Sequence, residues 1–117
     1  MARLKDLDDD HKKRELEQEK IIIEALRKYG LPVGLKRKDR RDRLKLYYDI
    51  LDAIQQEVSN GGAKPTRVQF LSNTSYDKLM RYLGILKDKN MIQKDPLTLT
   101  DKGRQFLNDY KKVVTYI

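Results

Sequence analysis

The sequence predicts a mainly α-helical fold with one small β-hairpin, preceded by a separate N-terminal helix. Three observations carry that expectation. Apolar residues recur at intervals of three and four along several stretches, an Asp95-Pro96 turn separates two short alternating segments, and glycine and proline cut the chain at 30–34 and 61–65. The expected division is an N-terminal helical extension and linker over residues 1–35 and a compact domain over 36–117.

The first helix is predicted over 10–29, a segment without Gly or Pro and rich in Glu, Lys, Leu and Ile. Asp8, Asp9 and Asp10 at its start suit the positive end of the helix dipole, and Leu16, Ile22, Ile23, Leu26 and Tyr29 form an apolar stripe. Gly30-Leu31-Pro32-Val33-Gly34 ends it, because Pro32 also turns Leu31 away from the helical region. The charge block 36–43 then leads into Leu44, Tyr47, Tyr48, Leu51, Ile54 and Val58, spaced to share one helical face. That helix is expected to stop at Asn60-Gly61-Gly62, where glycine can take the left-handed conformation.

Pro65 opens a helix of about two turns whose apolar side is Val68, Phe70 and Leu71. Ser72-Asn73-Thr74-Ser75 is a cluster of capping residues, and Thr74 with Asp77 three positions on resembles a capping box. The helix that follows starts near Ser75, buries Tyr76, Leu79, Tyr82, Leu83 and Leu86, and runs out at Lys89-Asn90. Residues 91–99 read as a hairpin about Asp95-Pro96. Thr100 caps the last helix, which carries Phe106, Leu107, Tyr110, Val113, Val114 and Ile117 at helical spacing to the final residue.

Composition excludes several kinds of chemistry. The absence of cysteine removes disulfides, thiolate zinc sites, iron–sulfur clusters and cysteine nucleophiles, and fits a reducing compartment. The single histidine, His11, has no second imidazole with which to make a metal site or a catalytic pair. No glycine-rich phosphate loop occurs, since Gly61-Gly62 has helical patterns on both sides. No enzyme, cofactor, metal or small-molecule ligand is therefore expected. The N-terminus has no apolar leader and no run is long enough to span a bilayer, so a cytoplasmic, unexported protein is expected.

Helix, short helix, turn, longer helix, hairpin and final helix is the order of a winged helix-turn-helix domain, here over 39–110. Three segments sharpen it: Ser75-Tyr76-Asp77-Lys78-Leu79-Met80-Arg81-Tyr82-Leu83, then Met91-Ile92, then Leu99-Thr100-Asp101-Lys102-Gly103-Arg104-Gln105-Phe106-Leu107. Over 41–112 the chain resembles the archaeal winged-helix DNA-binding family of small, dimeric chromatin-associated proteins and related transcription regulators. That resemblance implies double-stranded DNA as partner, a nucleoid-associated location and a homodimer built through the terminal helices. The expected seam is Leu16, Ile22, Ile23, Leu26 and Tyr29 with Phe106, Tyr110, Val113 and Ile117; the alternative is that these stripes pack on each other within one chain.

The charge fits a polyanion. The chain carries 26 Lys and Arg against 18 Asp and Glu, net +8, and both 1–38 and 39–117 are basic. With Leu79 inward, helical rotation turns Asp77, Lys78, Arg81, Gly84 and Ile85 outward, making Lys78 and Arg81 the first candidates for groove contact. Ser75 can meet a phosphate at the helix start, while Lys64, Thr66, Arg67 and Lys94 would position the backbone. Arg40, Arg41 and Arg43 form a second candidate cluster, since cations at a helix N-terminus oppose its dipole unless an anion lies nearby.

Each feature has a plainer reading. Exposed cations are ordinary on any surface, and 36–43 can be a solvated helix start. Tyr47, Tyr48, Tyr76 and Tyr82 fall on or beside apolar stripes and read as core, not as base-stacking platforms. Asp8-Asp9-Asp10 reads as a helix start, not a magnesium site. The rival function is a protein–protein interaction module that does not bind DNA, favoured by an outward Ile85 and by the terminal stripes. RNA binding has no distinct motif.

Overall fold

The computed structural model describes residues 3–34 and 36–115. Its elements run α1 (Arg3–Lys28), α2 (Arg37–Ser59), α3 (Pro65–Ser72), α4 (Tyr76–Asp88), β1 (Ile92–Gln93), β2 (Thr98–Leu99) and α5 (Asp101–Thr115). The mainly helical fold with a two-stranded antiparallel hairpin is the one the sequence predicts. Helix α1 begins seven residues before the expected start at residue 10. Asp8, Asp9 and Asp10 therefore lie inside the helix and do not open it, because the segment holds no glycine or proline to stop the helix from extending backwards.

Helix α2 is the hub, packing against α1, α3, α4, α5 and β2. It buries Leu44, Tyr47, Ile50, Leu51, Ala53 and Ile54, while Val58, placed by its spacing on the same face, is exposed at the helix end. Asn60 caps the helix, and Gly61 and Gly62 turn the chain at φ +105° and +128°, a region that side chains with a Cβ avoid. Tyr47 meets Tyr82 of α4 edge to face at 4.9 Å, and burial pushes the Tyr47 phenol up to about 12.

The terminal stripes meet within one chain. Ile22, Ala25 and Leu26 of α1, with Tyr29 and Leu31 beyond it, are buried in the same core as α2. The Tyr29 ring stands edge-on to Phe106 at 5.0 Å and to Tyr110 at 5.8 Å. Its hydroxyl donates to Asp109 at 2.8 Å, and Lys28 reaches the same carboxylate at 3.1 Å. Four of the residues expected in a dimer seam, Ile22, Leu26, Tyr29 and Phe106, are thus consumed by the fold of the single chain. Ile23, Tyr110 and Val113 are half-buried, Leu16 is 52% exposed, and Ile117 lies outside the described residues.

The start of α5 is latched to the hairpin and to the end of α4. Ile92 pairs with Leu99 and Gln93 with Thr98. Thr100 accepts from the Gly103 N–H at 3.2 Å and donates to the Asn90 carbonyl at 2.6 Å, while Lys102 donates to the Lys89 carbonyl at 2.8 Å. A Cβ added at Gly103 would lie 2.2 Å from the Met91 carbonyl oxygen. The Leu-Thr-x-x-Gly motif is therefore the chemistry of this junction, which sets the hairpin beside α4.

Candidate nucleic-acid interface

Helices α3 and α4 are joined by a turn of three residues in which Asn73 adopts φ +53° and ends α3. Ser75, not Thr74, caps α4, its hydroxyl oxygen accepting from the Lys78 N–H at 3.2 Å. The expected Thr74–Asp77 capping box is replaced by this single cap, one residue further along the chain. A hydroxyl that accepts this bond keeps its own proton to donate, so the exposed Ser75 still suits contact with an acceptor such as a phosphate oxygen.

On α4, Leu79, Tyr82, Leu83 and Leu86 are buried, and Asp77, Lys78 and Arg81 are exposed, as helical rotation predicts. Three residues differ, the first being Gly84, expected outward and in fact half-buried. Tyr76, placed by its spacing on the inner stripe, is 52% exposed, because it is the first helical residue and the chain before it turns away. Ile85, expected outward, is half-buried on the flank and packs against the core.

Two shallow grooves run between α4 and α2. One is lined by Asp39, Asp42, Arg43, Leu46, Lys78 and Tyr82, the other by residues that include Asp42, Lys45, Asp49, Asn73, Thr74 and Lys78. Lys78 therefore faces carboxylates on α2, which weaken its field. Burial holds the Asp49 carboxyl above its ordinary range, against the pull of Lys45. Across α4, a third groove joins Ala63 and Pro65 at the start of α3, Met80 and Leu83 of α4, and Lys94, Asp95, Pro96 and Leu97 of the hairpin. Lys64, Thr66, Lys94, Ser75, Lys78 and Arg81 are all exposed; Lys78 borders the grooves on the α2 side of α4 and Lys94 the groove on its hairpin side, while Thr66 lines a separate hollow with Gln69, Phe70, Asn73 and Thr74. Among the described residues the side chains of Lys64, Lys78, Arg81 and Lys94 make no ion pair.

The arginines divide. Arg67 pairs with the buried Glu57 at 3.4 Å and lies 5.9 Å from the Phe70 ring, so its guanidinium is partly engaged. Arg40 closes on Glu19 of α1 and donates to the Gly34 carbonyl at 2.7 Å. Arg37 lies 3.9 Å from the same Glu19. The anion that the basic helix start requires is therefore supplied by α1, and Arg40 is a structural residue. Arg41 is half-buried with its Nε lacking a partner. Arg43 alone of the three borders the Lys78 groove.

Sequence reasoning missed the exposed apolar residues of this face. Phe70 is 74% exposed, and Met80 and Leu71 each 37%. Met80 was legible, since it falls off the Leu79/Tyr82/Leu83/Leu86 stripe; Phe70 was not, because a two-turn helix gives too little periodicity to assign its faces.

A helix-turn-helix with an adjoining hairpin and a cationic outer face defines a DNA-binding class of domain. The chain belongs to the winged helix-turn-helix family, whose model matches residues 40–117. No curated protein and no solved structure matches it. The family is typically a non-enzymatic DNA-binding domain. Among the described residues no cluster of His, Cys, Asp or Glu is arranged to hold a metal, and no helix is long and apolar enough to cross a membrane.

Proposed function

We propose that the protein binds double-stranded DNA as a transcription regulator or a nucleoid-associated chromatin protein in the cytoplasm, with α4 in the major groove and Lys64, Thr66 and Lys94 on the flanking phosphates. The observation that carries this reading is the set of exposed cations that make no ion pair among the described residues, Lys64 just before α3, Lys78 and Arg81 on α4 and Lys94 in the hairpin. Phosphates would meet these cations and displace their counterions, while the latch at Gly103 holds the hairpin at a fixed distance from α4. Arg81 carries base contact, through the forked geometry that matches guanine O6 and N7. Lys78 and Arg43 contribute from the α2 side, where Asp39 and Asp42 moderate them. Pairing through Leu16 and the half-buried Ile23 and Val113 would present two such helices to successive grooves, as in the archaeal dimeric proteins the sequence resembles.

Fluorescence anisotropy against a labelled duplex over a salt series tests the reading. Neutralising about six phosphates gives a log–log slope near −5; a flat dependence overturns it. Lys78→Gln and Arg81→Gln should weaken binding more than Lys111→Gln and Lys112→Gln at the far end of α5. A protein-binding module is the second reading, favoured by the 74% exposure of Phe70. Capture of a defined protein partner, lost in Phe70→Ser, with no affinity for any duplex, selects it.

A further inference from the structure

The outward side of α4 carries a row that its charges do not explain. Tyr76, Met80 and Gly84 are spaced i, i+4 and i+8, so they lie along one ridge of the helix. Tyr76 and Met80 are exposed large apolar side chains. Gly84 sits inside a helix, where glycine is the poorest residue after proline. No packing reason for it exists: a Cβ built there meets nothing within 4 Å. Gly103, by contrast, is forced by a carbonyl. A helical glycine that nothing in its own chain requires suits close approach by something outside the chain.

We infer that the Tyr76–Met80–Gly84 row is a second base-reading surface of α4 beside Arg81, and that it selects A·T pairs through the 5-methyl groups of thymine. This rests on the duplex-DNA reading above. Lys94 lines the groove that Met80 enters, Lys64 stands between two of its lining residues in the chain, and Arg81 is exposed next to Met80 on the helix, so the row's occupant is a polyanion whose inner surface is apolar. In the major groove the thymine methyl is the apolar group that the bases display. Met80 continues into the groove walled by Ala63, Pro65, Leu83, Pro96 and Leu97, an apolar lining suited to methyl groups with Lys94 and Asp95 as its charged members. Gly84, at the far end of the row, lets the helix backbone come nearer to the base edges than any side chain would allow.

The test measures anisotropy at fixed salt for a thymine-rich duplex and for the same duplex with deoxyuridine in place of every thymine, which removes the methyls and keeps every phosphate and hydrogen bond. Binding to the deoxyuridine duplex should be weaker by about fourfold for each methyl that is buried. Tyr76→Ser/Met80→Ser should bind the two duplexes equally. Gly84→Ala should raise the melting temperature by roughly 4 °C and weaken binding several-fold, opposite signs that damage to the fold cannot produce. Equal affinity of the unaltered protein for the two duplexes, or Gly84→Ala binding unchanged, overturns the inference and leaves the DNA reading standing. No binding to any duplex overturns that reading itself. Concentration-dependent self-association that Tyr76→Ser abolishes, together with equal affinity for the two duplexes, would make the row a protein contact and also overturn the inference.

Discussion

Arg40 and Arg81 are one residue type on two helices of one small protein, and the fold uses them in opposite ways. Arg40 is turned onto the buried Glu19, while Arg81 is exposed and makes no ion pair among the described residues. Lys28 is likewise matched by Asp109, whereas Lys64, Lys78 and Lys94 around α4, like Lys20, Lys45 and Lys111 elsewhere, make no ion pair among the described residues. A matched pair ties two elements together and is dangerous to break, whereas an unmatched surface cation contributes little to stability and is left for an external anion. A net charge of +8 says nothing about this division. What decides it is whether a carboxylate of the same chain is brought within reach.

The largest effect expected from breaking that contrast is at Arg40. Arg40→Ala leaves the buried Glu19 carboxylate with the longer 3.9 Å contact to Arg37 and should cost about 2–3 kcal/mol, below the roughly 3–5 kcal/mol of a fully uncompensated buried charge. Arg81→Ala should stay within about 0.5 kcal/mol. Urea denaturation of the two variants measures both, and similar losses would erase the distinction between the two sides.

The two helical glycines sharpen the comparison with a sign. Gly103→Ala drives a methyl into the Met91 carbonyl and should destabilise by roughly 3 kcal/mol, while Gly84→Ala, in open space, should stabilise by about 1 kcal/mol. Thermal melts of the pair decide it: a stabilised Gly103→Ala would mean that the hairpin is not held against α5 as described.

How much of this was legible in the sequence depends on the length of the signal. Long stripes such as Leu79/Tyr82/Leu83/Leu86 determine a helix face on their own, and the Asn60-Gly61-Gly62 and Asn90 turns mark the helix ends, Asn90 at φ +60°. Three aspartates resemble a helix start whether or not a helix already precedes them, which is why the sequence pattern places the start of α1 seven residues late. At the candidate site, the exposure of Lys78 and Arg81 follows from rotation about α4. The fate of Arg40 does not, because its partner lies 21 residues away on another helix and pairing at that range leaves no periodic trace. Tyr76 and Phe70 were misassigned for a related reason: at the ends of short helices, the direction of the neighbouring chain decides burial.

A smaller effect is expected at the clamp between α1 and α5. The Tyr29 hydroxyl, and then Lys28, hold the Asp109 carboxyl below its ordinary range. A depressed carboxyl stabilises the fold fully above its unfolded value near ~3.9 and loses that contribution as pH falls through the folded value. Tyr29→Phe removes the strongest of these contacts and should lower stability at neutral pH. Melting curves between pH 5 and pH 2 should then show a shallower acid-induced loss than in the unaltered protein. An unchanged acid limb would detach Asp109 from the stability of the matched side.

The smallest effect concerns the carboxylate in the first turn of the reading helix. Asp77 is exposed in the first turn of α4, where the helix dipole favours it and an approaching phosphate does not. These preferences pull in opposite directions, so Asp77→Asn should lower stability by about 0.5 kcal/mol while raising affinity for a duplex. The gain should be largest at low salt and vanish as the Debye length shrinks to about 3 Å near 1 M. A gain that survives high salt would point to a steric cause. A loss of affinity would show instead that the carboxylate accepts a hydrogen bond from a base amino group, moving Asp77 from the cost of binding to its specificity. Either departure would alter how the unmatched side of the molecule is read, since it would no longer be cationic contacts alone that hold the nucleic acid there.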